Sequence, residues 1–143
     1  MARELIILAV ALAGCRGESK QPPPAPTTPP LAHKAFYRVD AAPQPPCTAG
    51  APCEARLVLT ALGDYHVNAQ YPVKFESDAV PGVSVTGTGT FVRESDKAGT
   101  LTIRFVAARA GKTEVKGKFK LSVCTDDNCE IEAPPIAFTV AAS

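Results

Sequence analysis

From Glu114 to Val123 the chain alternates without a break. Val115, Gly117, Phe119, Leu121 and Val123 fall on one side, and Glu114, Lys116, Lys118, Lys120 and Ser122 on the other. A period of two held this long fits a pleated strand with one dry face and one wet face. A helix, at 3.6 residues per turn, would scatter the lysines through its own apolar stripe. Shorter copies of the pattern stand at Ala55-Leu57-Leu59, Leu101-Ile103-Phe105-Ala107 and Ile136-Phe138-Val140. Turn signals separate them at Leu62-Gly63-Asp64, Pro81-Gly82, Lys97-Ala98-Gly99, Ala110-Gly111-Lys112 and Thr125-Asp126-Asp127-Asn128. A Thr- and Gly-rich strand at Val83 to Val92 and a short first one at Phe36 to Val39 bring the expected total to about seven or eight. Strands this short and evenly spaced, with no helical pattern between them, predict an all-β fold, an antiparallel β-sandwich of immunoglobulin-like type. Trp is absent, so the Cys-Trp-Cys hallmark of true immunoglobulin domains is missing and the expectation concerns architecture alone.

The ends of the chain differ in kind. Ten of the 14 prolines fall between Pro22 and Pro52, and a stretch so rich in proline builds no core. Residues Leu5 to Ala13 form a run of nine apolar residues. As a helix rising about 1.5 Å per residue, such a run is far shorter than a bilayer's hydrocarbon core and has the length of a signal-peptide centre. It ends in Leu12-Ala13-Gly14-Cys15, which resembles the lipobox of bacterial lipoproteins. That resemblance implies cleavage after residue 14, a lipid on Cys15 and attachment to a membrane. Arg16 rather than Asp follows the cysteine, the pattern that favours the outer membrane, facing the periplasm. An ordinary secretory signal with an unrelated cysteine is the plainer alternative. The six prolines between Pro22 and Pro30 favour an extended polyproline II tether of roughly 50 Å. The expected organisation is a signal peptide over 1–14, a tether over 15–33 and one β-domain over 34–143.

Fifteen basic and 14 acidic side chains leave a net charge of +1. No like-charge run offers nucleic acid a cationic face, and no steering field exists for an acidic substrate. No Ser-His-Asp set, phosphate-cradling glycine loop or metal-binding helix is present, so nothing calls for a cofactor or supports a hydrolase or NTPase.

The chemistry available lies in cysteine. With Cys15 assigned to lipid, Cys47, Cys53, Cys124 and Cys129 remain for an oxidising compartment, where disulfides persist. Three connectivities are open; locality favours Cys47 with Cys53 and Cys124 with Cys129. The second pairing would close the neck of a hairpin at Thr125 to Asn128. Such a ring gives only about 2 kcal/mol of chain-entropy stabilisation. It serves either as a staple or as a reducible pair. By parity, Cys124 belongs to the polar face of its strand, which predicts a sulfur near solvent. Asp126, Asp127 and Glu130 lie around it, and carboxylates slow a thiol's attack by disfavouring its thiolate. A zinc site is a poor fit to Cys-x5-Cys and Cys-x4-Cys spacings. His33 and His66 lack a partner at ligand spacing and are read as ordinary polar side chains, His66 within a turn. Asp126-Asp127-Asn128 lacks the glycine and terminal glutamate of a calcium loop, so no metal is expected.

Two segments, Asp64-Tyr65-His66-Val67-Asn68 with Tyr71-Pro72, and Val123-Cys124-Thr125-Asp126-Asp127-Asn128-Cys129 with Pro134-Pro135, together resemble the N-terminal periplasmic domain of the thiol:disulfide interchange protein DsbD. The resemblance covers roughly Phe36 to Val140. It implies an immunoglobulin-like sandwich in which Cys124 and Cys129 are a redox pair, exchanging electrons with a membrane thiol reductase and with thioredoxin-like proteins. Val123 and Glu130 stand where that family commonly has aromatic residues, the multi-span and thioredoxin domains are missing from this sequence, and Cys47–Cys53 is an addition. A binding or structural envelope lipoprotein with two purely structural disulfides is the alternative.

Overall fold

The computed structural model describes residues 28–143. The expected signal peptide, Cys15 and most of the tether lie outside the described residues. Within them there are ten strands and no helix: β1 (Ala32–Lys34), β2 (Tyr37–Ala41), β3 (Pro52–Ala61), β4 (His66–Val67), β5 (Lys74–Ser77), β6 (Val83–Arg93), β7 (Ala98–Ala107), β8 (Gly111–Cys124), β9 (Cys129–Glu132) and β10 (Pro135–Ala142). One sheet runs β1-β2-β3-β7-β6, and the other is built around β8. All pairings are antiparallel, as the alternating pattern requires of sheets wet on one face.

β8 organises the second sheet because it is 14 residues long and is paired along both edges by broken strands. On one edge β10 runs from Gly111 to Lys118 and β9 takes over from Leu121 to Cys124, with the Ala133-Pro134 break between them. On the other, β5 pairs Gly117 to Lys120 and β4 pairs Val123 and Cys124. The expected apolar faces all point inward. Ala55, Leu57 and Leu59 from β3, Leu101, Ile103 and Phe105 from β7, and Val115, Phe119, Leu121 and Val123 from β8 are buried, with Ile136, Phe138 and Val140 from β10. Phe75 stands edge-on to Phe138 at 5.4 Å between ring centroids, and its ring also lies over Gly117. A Cβ on Gly117 would come within 2.7 Å of that ring and 2.2 Å of the Glu76 carbonyl oxygen. Glycine therefore holds a place in the apolar alternation where any side chain would part β5 from β8.

Three expectations need correcting. Strands number ten rather than seven or eight, because β1, β4 and β5 have three, two and four residues, too few for alternation to declare itself. Ala32 and His33 lie in β1, so the sheet begins inside the segment read as tether. The turn placed at Lys97-Ala98-Gly99 falls earlier: Glu94 N and Ser95 N both donate to Ala98 O, and Gly99 is already within β7.

Candidate functional site at the Cys124–Cys129 hairpin

Both local disulfides form, Cys47–Cys53 and Cys124–Cys129. The first is buried at both ends, with Cys47 and Cys53 in the hydrophobic core. Its loop also holds the chain terminus: Ser143 N donates to Cys47 O at 3.0 Å, and Ala49 N to Ser143 O at 3.0 Å. Gln44 adds a bond in each direction with the Ala141 backbone. These hydrogen bonds tie the β2–β3 connection, cross-linked by the bridge, to the end of β10, across the two sheets.

The second disulfide joins directly opposed residues of β8 and β9, whose Cα atoms are 4.0 Å apart. The loop between them is organised by Thr125. Its N–H donates to Asn128 O at 2.8 Å, and its Oγ1 accepts from Asn128 N at 3.2 Å and Asp127 N at 3.4 Å. Asn128 Nδ2 reaches Glu130 Oε1 at 3.0 Å. Asp126 and Asp127 are exposed.

The two cysteines are unlike. Cys129 is exposed, whereas Cys124 is 6% exposed, which corrects the expectation of a Cys124 sulfur near solvent. Parity assigns Cys124 to the outer face correctly, but that face is covered here. β4 and β9 flank the strand, and Asn68 closes over the neighbouring Ser122, with its N–H on Ser122 O at 3.0 Å and its Nδ2 on Ser122 Oγ at 3.2 Å. Ser122 is fully buried in consequence.

His66 is the residue whose place differs most from the sequence reading. It lies on β4, directly opposite Cys124 on the side away from Cys129. Opposed residues of antiparallel strands share a face, so His66, Cys124 and Cys129 form one row across three strands. In the next row Ser122 is opposed by Ile131, which is 67% exposed on the same face of β9 as Cys129. The polar-apolar-polar order of His66-Val67-Asn68 was the available signal for this short strand. The turn leading into β4 is held by Lys97, whose ammonium donates to the carbonyl oxygens of Gly63 and Tyr65. Tyr65 packs on Phe36 at 5.3 Å between centroids.

Of the remaining charges near this end, Lys34 and Glu132 form a pair. Lys34 Nζ lies 2.7 Å from Glu132 Oε1, joining β1 to β9. Burial pushes the Tyr37 phenol up, and the Glu132 carboxylate adds to that. Further along the outer face of β8, a hydrogen bond from Lys120 at 2.7 Å holds the Glu76 carboxyl below its usual range. His33 lies on β1, opposite Arg38. An open groove of 740 Å³ elsewhere, lined in part by Pro29, Leu31, Lys116, Ile136 and Phe138, gathers no set of acid, base and nucleophile. The four described cysteines are all used in the two disulfides, and among the described residues no helix is long and apolar enough to cross a membrane.

Fold and site thus define an antiparallel β-sandwich with one internal disulfide and one half-exposed disulfide on a hairpin. The chain matches no protein-family model, no curated protein and no solved structure.

Proposed function

We propose that the chain is a lipid-anchored protein of the cell envelope, held through Cys15 at the outer membrane and facing the periplasm. Its Cys124–Cys129 pair relays thiol–disulfide exchange with a thioredoxin-like protein or a membrane thiol reductase. The observation that carries this reading is the unequal exposure of the two cysteines. An attacking thiolate must approach along the S–S axis, and Cys129 is the residue of the pair that lies open to solvent. The resemblance of this hairpin and of the segment around His66 to the N-terminal domain of DsbD supports the same reading.

In the exchange a partner's thiolate attacks Cys129 Sγ. A bond forms between the partner's sulfur and Cys129, the Cys124–Cys129 bond breaks, and its electron pair leaves on Cys124 Sγ. A second thiolate of the partner then attacks the partner's own sulfur in the mixed disulfide and releases Cys129. The pair ends as a dithiol and the partner as a disulfide; run backwards, the same steps reduce the next acceptor.

The second reading is a binding or structural envelope lipoprotein in which both disulfides are staples. The self-contained bonding of the Thr125–Asn128 loop favours it. The reduction potential of the Cys124–Cys129 pair decides between them. A value below about −300 mV, usual for structural bonds, would sink the relay. A higher value, with ready exchange against a thioredoxin-like protein, is the expected result.

A further inference from the structure

We infer that His66 receives the sulfur that leaves when the Cys124–Cys129 disulfide opens, donating the proton of its imidazolium to the Cys124 thiolate. The inference rests on the exchange reading only in taking this disulfide to be one that opens.

The register places the two residues. Opposed residues on antiparallel strands have Cβ atoms about 4.5–5.5 Å apart, a separation that a rotation of the His66 side chain can bridge to the sulfur of Cys124 with the backbone in place. His66 is itself half-buried, which keeps the pair partly screened from water. The need for such a donor follows from burial. Attack at Cys129 delivers a negative charge to Cys124, the cysteine that water barely reaches, and a buried charge without a partner is costly. Two other donors close by already have partners. Thr125 N donates to Asn128 O, and Asn68 Nδ2 to Ser122 Oγ.

Charged groups on the elements packed around β4 do not replace His66. Lys97 serves the Gly63 and Tyr65 carbonyl oxygens, and Lys120 lies on Glu76. Asp96 takes Arg93 at 3.0 Å, Glu94 takes the Thr100 hydroxyl at 3.2 Å, and Glu130 takes Asn128. The other ionisable groups there are the Asp64 and Tyr65 side chains of the turn itself and Asp126 and Asp127 of the hairpin loop. The three aspartates and glutamates nearest the hairpin tip are anions that oppose a thiolate, which increases the value of a cationic neighbour.

The step balances. The partner's thiolate and the disulfide give a mixed disulfide at Cys129, and the departing Cys124 sulfur takes the imidazolium proton to become a thiol. Neutral His66 then regains a proton from solvent. An opposite charge at this range lowers a thiol's pKa by about 1–3 units. With a leaving-group sensitivity of the same size as the Brønsted coefficient for attack, about 0.4–0.5, the opening is accelerated about 3- to 30-fold.

The experiment is the rate at which dithiothreitol opens Cys124–Cys129 in the fully oxidised chain, read by alkylation and mass, for the native protein, His66→Asn and His66→Gln. The expected native-to-variant ratio is about 3 to 30 at about pH 5 and shrinks toward about pH 8, as expected of a proton carried by imidazole. Opening of Cys47–Cys53 should be the same in all three. A ratio of one throughout, or a ratio that ignores pH, overturns the inference. Should neither variant fold, the native protein suffices. The imidazole nitrogen resonances of His66 should move when the pair is reduced while those of His33 stay, and unmoved His66 resonances overturn the inference equally. Failure to exchange with a thioredoxin-like protein, with the dithiothreitol ratio intact, would end the relay reading and leave the role of His66 standing.

Discussion

Cys47–Cys53 and Cys124–Cys129 close rings of nearly equal size, six and five residues along the chain, yet they occupy opposite kinds of surroundings. The first lies wholly within the core, and its loop is bonded to the last residue of the chain. The second has one buried cysteine and one exposed, at the tip of a hairpin whose hydrogen bonds are nearly all its own. Ring size sets how much disorder each bond removes from the unfolded chain, and by that measure the two are equal. Placement sets what a reagent can reach. Two bonds that look alike in spacing are therefore expected to differ little as cross-links and greatly as reactants.

The largest effect should be kinetic. Under limiting reductant, Cys124–Cys129 should open at least about 100-fold faster than Cys47–Cys53, since a fully buried bond is reached only after local opening that costs several kcal/mol. Alkylation followed by peptide mass mapping gives both rates in one sample, and equal rates would erase the contrast. Removing the bridges should reverse the ranking for stability. Replacing Cys47 and Cys53 by Ala should cost about 2–5 kcal/mol in urea unfolding, because a buried cross-link is lost from the loop that is hydrogen-bonded to the end of β10. Replacing Cys124 and Cys129 by Ser should cost about 2 kcal/mol, while abolishing exchange. A hairpin deletion that proved the more damaging would show Cys124–Cys129 to be the main staple. The smallest effect sharpens the account of the buried cysteine. Asn68→Ala leaves the Ser122 hydroxyl without its donor, at about 1–2 kcal/mol, and should quicken opening of the hairpin disulfide with no change at Cys47–Cys53.

Much of this was legible from the chain. The inward faces of β3, β7, β8 and β10 follow from alternation because each strand is long enough to repeat the pattern several times, and locality was enough to suggest both disulfides. What stayed hidden depended on distant residues. Parity puts Cys124 on an outer face, but whether that face is covered depends on Asn68, which approaches Ser122 from 54 residues away. In the sequence His66 reads as part of a turn because a two-residue strand has no period of its own, and only its pairing with β8 brings it opposite Cys124. Gly117 fits the apolar alternation, but the need for glycine there comes from the Glu76 carbonyl oxygen and the Phe75 ring on the neighbouring strand.

The short first strand also has a mechanical side. A pull on the residues that precede it is delivered to β1, which is held to β2 by three residue pairs, from Ala32 with Val39 to Lys34 with Tyr37. In such a hairpin tension parts the pairs one after another instead of loading them together, and the pair farthest from the pull parts last. That last pair carries Lys34, whose ammonium grips Glu132 on the strand that begins at Cys129. Force arriving along the leading segment is thus spent on peeling an edge before it reaches the Cys124–Cys129 hairpin, so slack can be drawn from the sandwich while its disulfide stays undisturbed.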